Sequence, residues 1–67
     1  MTQNGQRITP LRAAKEIYVA FGEQAECMGN DETLSHIGVE DATKAEQAAV
    51  NRMVAKVAHR VRNALGL

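Results

Sequence analysis

Between residues 43 and 65 the apolar side chains fall on a single line. Val50, Val54, Val57, Val61 and Ala64 step by four, three, four and three, the interval at which residues return to the same side of an α-helix. Met53, Ala58 and Leu65 widen the stripe, while Arg52, Lys56, His59, Arg60 and Asn63 gather nearly opposite. A strand, with its period of two, cannot sort these residues onto two faces, so the segment dictates an amphipathic helix over about 42–65. Asp41 or Thr43 opens it. Thr43-Lys44-Ala45-Glu46 has the form of a capping box, in which Thr and Glu each satisfy one orphan N–H. Acids at the opening and bases at the close suit the helix dipole, and Gly66 ends the run.

A second stripe lies upstream. Thr9 can cap a helix with its hydroxyl, and Pro10 fits the first helical position, where its missing N–H costs nothing. From there Leu11, Ala14, Tyr18, Phe21, Ala25 and Met28 recur at helical spacing with Ile17 beside them. The spacing predicts a helix over about 10–28, with Gly22 as its weak point, able to kink it, split it or admit a neighbouring backbone. Gly29 is its natural stop. Asn30 can cap a short helix over 31–37 that ends at Gly38, with Leu34 and Ile37 turned inward. Residues 1–8 hold a turn-prone Asn4-Gly5 pair and no periodicity, so they read as a flexible arm ahead of a single domain spanning 9–67.

These elements predict an all-α fold: two long helices in an antiparallel hairpin with a short helix between them. The core material is light. Tyr18 and Phe21 are the only aromatics in 67 residues, and much of the apolar content is Ala. A chain this small sits near the lower limit for folding alone. Self-association into a four-helix arrangement is therefore expected, with Leu11, Ile17, Tyr18, Phe21, Met28, Val50, Met53, Val54, Val57 and Val61 as the packing and dimer seam.

Charge cancels in total but not locally. Residues 1–15 carry Arg7, Arg12 and Lys15 and no acid; residues 16–46 carry every acid against Lys44 alone; residues 47–67 carry Arg52, Lys56, Arg60 and Arg62 and no acid. An antiparallel hairpin gathers these into an acidic pole (Glu23 and Glu26 near the start of the last helix) and a basic pole, and pairing with a second copy sets opposite poles together. A compact acidic pole also suits occupation of a basic groove, as small phage-encoded or mobile-element inhibitors do by mimicking nucleic acid.

The chemistry-bearing residues point away from catalysis. Cys27 stands alone, which excludes an internal disulfide and suits a reducing, cytoplasmic setting. No apolar run approaches a membrane span or a secretory signal. Cys27, Met28, His36 and His59 match no zinc spacing, so no metal or other cofactor is expected. The pairs Asp31-Glu32 and Glu40-Asp41 sit where helix openings and polar connections explain them, without a pocket to tune a catalytic carboxylate. No phosphate loop, nucleophile elbow or dinucleotide fingerprint occurs, and neither an enzyme nor a small-molecule substrate is expected.

The candidate binding surface is the basic face of the last helix: Arg52, Lys56, His59, Arg60 and Arg62. Cations four residues apart can grip an acidic protein surface, follow a phosphate backbone, or simply keep an Ala- and Val-rich helix solvated. A helix-turn-helix is the nearest DNA-reading pattern, since Gly38 lies between Ile37 and Val39. However, Leu34 is three residues before Ile37 where the motif wants four, and the following helix opens with Glu40, Asp41 and Glu46. The expected function is that of a small, non-enzymatic interaction or regulatory protein that docks helix faces on itself and on another protein. A nucleic-acid-binding regulator is the alternative.

Overall fold

A computed structural model describes residues 1–28 and 30–66, with the backbone alone at Asn30. The stop expected at Gly29 and the cap expected from the Asn30 side chain lie outside the described residues. The described chain is mostly helical: a hairpin of β1 (Thr2–Gln3) and β2 (Gln6–Arg7) precedes α1 (Pro10–Phe21), α2 (Asn30–His36) and α3 (Lys44–Ala64).

Local signals set most of these boundaries. Thr9 adopts an extended conformation, and its hydroxyl accepts the Arg12 N–H at 3.2 Å, with Pro10 opening α1. At the head of α3 both halves of the capping box are formed. The Glu46 N–H reaches Thr43 Oγ1 at 3.1 Å, and the Thr43 N–H reaches Glu46 Oε1 at 3.0 Å. Thr43, not Asp41, is therefore the cap, and the helix starts at Lys44. α2 closes with a Schellman motif. Val39 N–H bonds the Leu34 carbonyl at 2.8 Å and Gly38 N–H bonds that of Ser35 at 3.0 Å, with Gly38 at φ +84°.

The first helix is shorter than its stripe predicts. At Gly22 the backbone turns to φ +62°, a conformation that side-chain-bearing residues rarely adopt, and Gly22–Glu26 continue as a 3₁₀ turn. Ala25 still reaches the core from that turn. Of the three roles open to Gly22, the structure realises the split.

Residues 1–8, expected to be a flexible arm, form a hairpin in which Thr2 faces Arg7 and Gln3 faces Gln6. Asn4 and Gly5, at φ +51° and +82°, supply the left-handed pair that a tight two-residue hairpin loop demands. The anchors come from far along the chain. Asp41 takes the Thr2 N–H at 2.7 Å and the Thr2 hydroxyl at 2.8 Å, and Gln3 Nε2 donates to the Ile37 carbonyl at 2.7 Å. Met1 is buried, and its ammonium meets Glu46 Oε2 at 2.6 Å.

The helix order also differs from the expected hairpin. Ile8, just before the α1 cap, bonds the Met1 carbonyl, and Met1 is tied to Glu46 in the first turn of α3. At the other end Arg62, in the last turn of α3, reaches Glu26 at 2.9 Å and Glu23 at 4.0 Å, just past the end of α1. Start lies beside start and end beside end, so α1 and α3 run in the same direction. The antiparallel expectation assumed a connection too short to return. Because α1 stops at Phe21, the path through 22–43 instead carries the chain back along the molecule, whose long dimension is 37 Å.

Ala13, Ala14 and Ile17 of α1 pack on Val50 and Val54 of α3, closed by Leu34, Val39, Ala25 and Met1. Tyr18, Phe21, Met53 and Val57 pack around this cluster half-buried. Of the expected packing and dimer seam, Ile17, Tyr18, Phe21, Val50, Met53, Val54 and Val57 take part in the chain's own core. Ile17, Val50 and Val54 are buried, Met28 and Val61 are half-buried, and Leu11 is the most exposed of them at 37%. Full burial of each large aliphatic side chain contributes about 1.5–3 kcal/mol.

Candidate functional site

The outer side of α3 is built by the same periodicity that builds its inner side. With Val50, Val54 and Ala58 fixed against the core, Arg52, Lys56, His59 and Arg60 project into solvent. Four residues advance the helix by ~6 Å, so Arg52, Lys56 and Arg60 form a ridge of regularly spaced cations. Ala55 separates them with a short side chain, and the Asn63 amide lies 3.2 Å from His59 Nε2 at the far end of the row. Among the described residues Arg52, Lys56 and Arg60 enter no ion pair, and the sequence carries no acid from residue 47 onward.

Arg62, expected on this surface, is not part of it. It lies four residues beyond the buried Ala58, which places it at the edge of the packed side, where it holds Glu23 and Glu26. That spacing was visible in the sequence and marks Arg62 as a flank residue. The same pairing dissolves the expected poles, because Glu23 and Glu26 lie beside the basic end of α3 and not beside its acidic start.

The remaining acids divide into two groups. Asp41 and Glu46 are structural. The Thr2 N–H, then the Thr2 hydroxyl, hold the Asp41 carboxyl below its ordinary range. The Met1 ammonium, then the Thr43 N–H, do the same for Glu46. Asp31, Glu32 and Glu40 are exposed and enter no ion pair among the described residues. Asp31 and Glu40 both line a cleft of about 290 Å³ with Ser35 and Gln47, and Glu32 follows Asp31 on α2. Sequence reasoning missed this grouping, since the Schellman turn at Gly38 is what folds Glu40 back toward Asp31.

Cys27 is exposed, and His36 packs its ring on Phe21 at a centroid distance of 4.8 Å. Among the described residues no three His, Cys, Asp or Glu side chains stand close enough to share a metal ion, and no helix is long and apolar enough to cross a membrane. The connection between α2 and α3 runs over residues 37–43, longer than the three- or four-residue turn of a helix-turn-helix. Comparison with known protein families, with curated proteins and with solved structures finds no match.

Proposed function

We propose that this chain is a non-enzymatic interaction module that docks the ridge of α3 on an acidic protein surface. The observation that carries this reading is the contrast among its cations. Arg12 and Arg62 are engaged with Glu16, Glu23 and Glu26, and Arg7, Lys15 and Lys44 are exposed singly, whereas Arg52, Lys56 and Arg60 form one exposed row on the longest helix with no ion pair among the described residues. Unpaired charges in a row attract a complementary surface and orient it at encounter.

Protein is favoured over nucleic acid by what surrounds the row. The chain is neutral in total, unlike most nucleic-acid-binding domains. Its two aromatics are half-buried around the core and give single-stranded bases no stacking platform on the ridge.

Binding of labelled polyglutamate and of a random-sequence DNA duplex, each measured by anisotropy at low salt, tests the reading. The expected result is polyglutamate binding that disappears in Lys56→Glu/Arg60→Glu, with helicity by circular dichroism unchanged. Binding to the duplex alone, abolished by the same variant and falling steeply with salt, overturns the reading in favour of a nucleic-acid regulator.

A further inference from the structure

We infer that one acidic surface the ridge accepts is the α2 face of a second copy of this chain, so that ridge and patch join copies into a salt-sensitive self-assembly. The inference rests on the ridge being a docking surface and names its partner. Within one molecule the ion pairs and caps consume Glu16, Glu23, Glu26, Asp41 and Glu46. Among the described residues Asp31 and Glu40 are left unpaired in the lining of one cleft, with Glu32 next along α2, and Arg52, Lys56 and Arg60 are left unpaired along α3. The two sets are opposite in sign, and no ion pair joins them within the described chain; Arg7, Lys15 and Lys44 are also outside every ion pair but stand apart on β2, α1 and the first residue of α3. Opposite charges left apart in one molecule can meet between two.

Asp31 and Glu40 wall a cleft with Leu34 and Val39 at its base, and Lys56 and Arg60 are long side chains standing beside the short Ala55. Under two-fold symmetry each copy presents its ridge to the other's patch, and the contact is made twice. This contact uses charge in place of the expected apolar seam, whose Ile17, Val50 and Val54 are buried in the chain's own core. Exposed ion pairs are individually weak and screened beyond ~10 Å at 0.1 M salt, so assembly belongs to low ionic strength and high concentration.

Charge reversal tests the contact. Sedimentation equilibrium of the full chain at ~20 mM salt and again at ~300 mM salt, between which the Debye length falls from about 20 Å to about 6 Å, reads the association constant. The wild type is expected to self-associate at low salt and to lose at least about tenfold in association constant at high salt. Arg52→Glu/Lys56→Glu/Arg60→Glu, and separately Asp31→Lys/Glu32→Lys/Glu40→Lys, are each expected to be monomeric. A single chain carrying all six reversals has a restored charge balance and is expected to associate again. A wild type that stays monomeric at millimolar concentration and low salt overturns the inference, as does a six-fold reversal that stays monomeric while the wild type associates. If the wild type is monomeric but still binds polyglutamate through the ridge, only the second copy is wrong as partner; if polyglutamate binding is absent too, the docking reading fails with it.

Discussion

The two ends of the molecule are fastened by different means. At one end, backbone groups and short side chains interlock: Thr2 on Asp41, Gln3 on Ile37, Met1 on Glu46, and Glu46 on Thr43. At the other end a single long side chain, Arg62, gathers Glu26 and Glu23 from the 3₁₀ turn. The first arrangement fixes register, because each hydrogen bond needs its neighbours in place. The second supplies attraction with little geometric constraint, on a half-exposed arginine. Order at the two ends should therefore fail separately, while the shared middle holds them together.

The largest effect is expected where both ends depend on the same side chain. Ile17→Ala empties the fully buried contact between α1 and α3 and should cost about 2–5 kcal/mol. That is a large share of the few kcal/mol available to a domain of this size. Urea unfolding followed by fluorescence of Tyr18 and by circular dichroism should shift by the same amount for both probes; loss of one signal alone breaks the picture of a common middle.

Next is the interlocked end. Thr43→Ala removes the α3 cap and loosens Glu46, at about 1 kcal/mol. Hydrogen exchange should quicken through Thr2–Ile8 and the first turn of α3 and stay unchanged over Gly22–Glu26.

Acid should select the same end. The Asp41 and Glu46 carboxyls are held below their ordinary values of 3.8 and 4.5, so the unfolded chain takes up their protons more readily than the folded one. The stability they contribute is complete above those ordinary values and drains away as pH falls through the lowered ones. Amide signals of Thr2–Arg7 should therefore weaken first on acidification below about pH 4, and survival of the hairpin at pH 2 would show that its anchors do not need charge.

Arg62→Ala should have the smallest effect, under about 1 kcal/mol. Its exchange signature should be confined to the 3₁₀ turn, leaving the hairpin untouched.

What was legible in the sequence was local. The α3 stripe and its capping box, Pro10 after Thr9, and the stop at Gly38 each depend on residues within a turn of one another, and each stands in the structure. The direction of α1 relative to α3 was not legible, because it depends on the route of 22–43 and on the left-handed backbone at Gly22. The hairpin was half visible. Asn4-Gly5 announced a turn, but Thr2, Gln3, Gln6 and Arg7 lack the alternation that marks strands, and their anchors are Ile37 and Asp41. The basic ridge was read correctly at Arg52, Lys56, His59 and Arg60 as exposed. Arg62 was misplaced because charge was weighed before its spacing from Ala58.

The shared direction of α1 and α3 has a kinetic consequence. Helices joined through a tight turn can close progressively from that turn, each new contact lying next to the last. Here Ile17 and Val50 meet only after all the intervening chain has looped back, so the entropy of that loop falls on the earliest productive encounter. The chain should reach its native state more slowly than an up-and-down helical pair of equal length, with the barrier set by that search and not by helix formation.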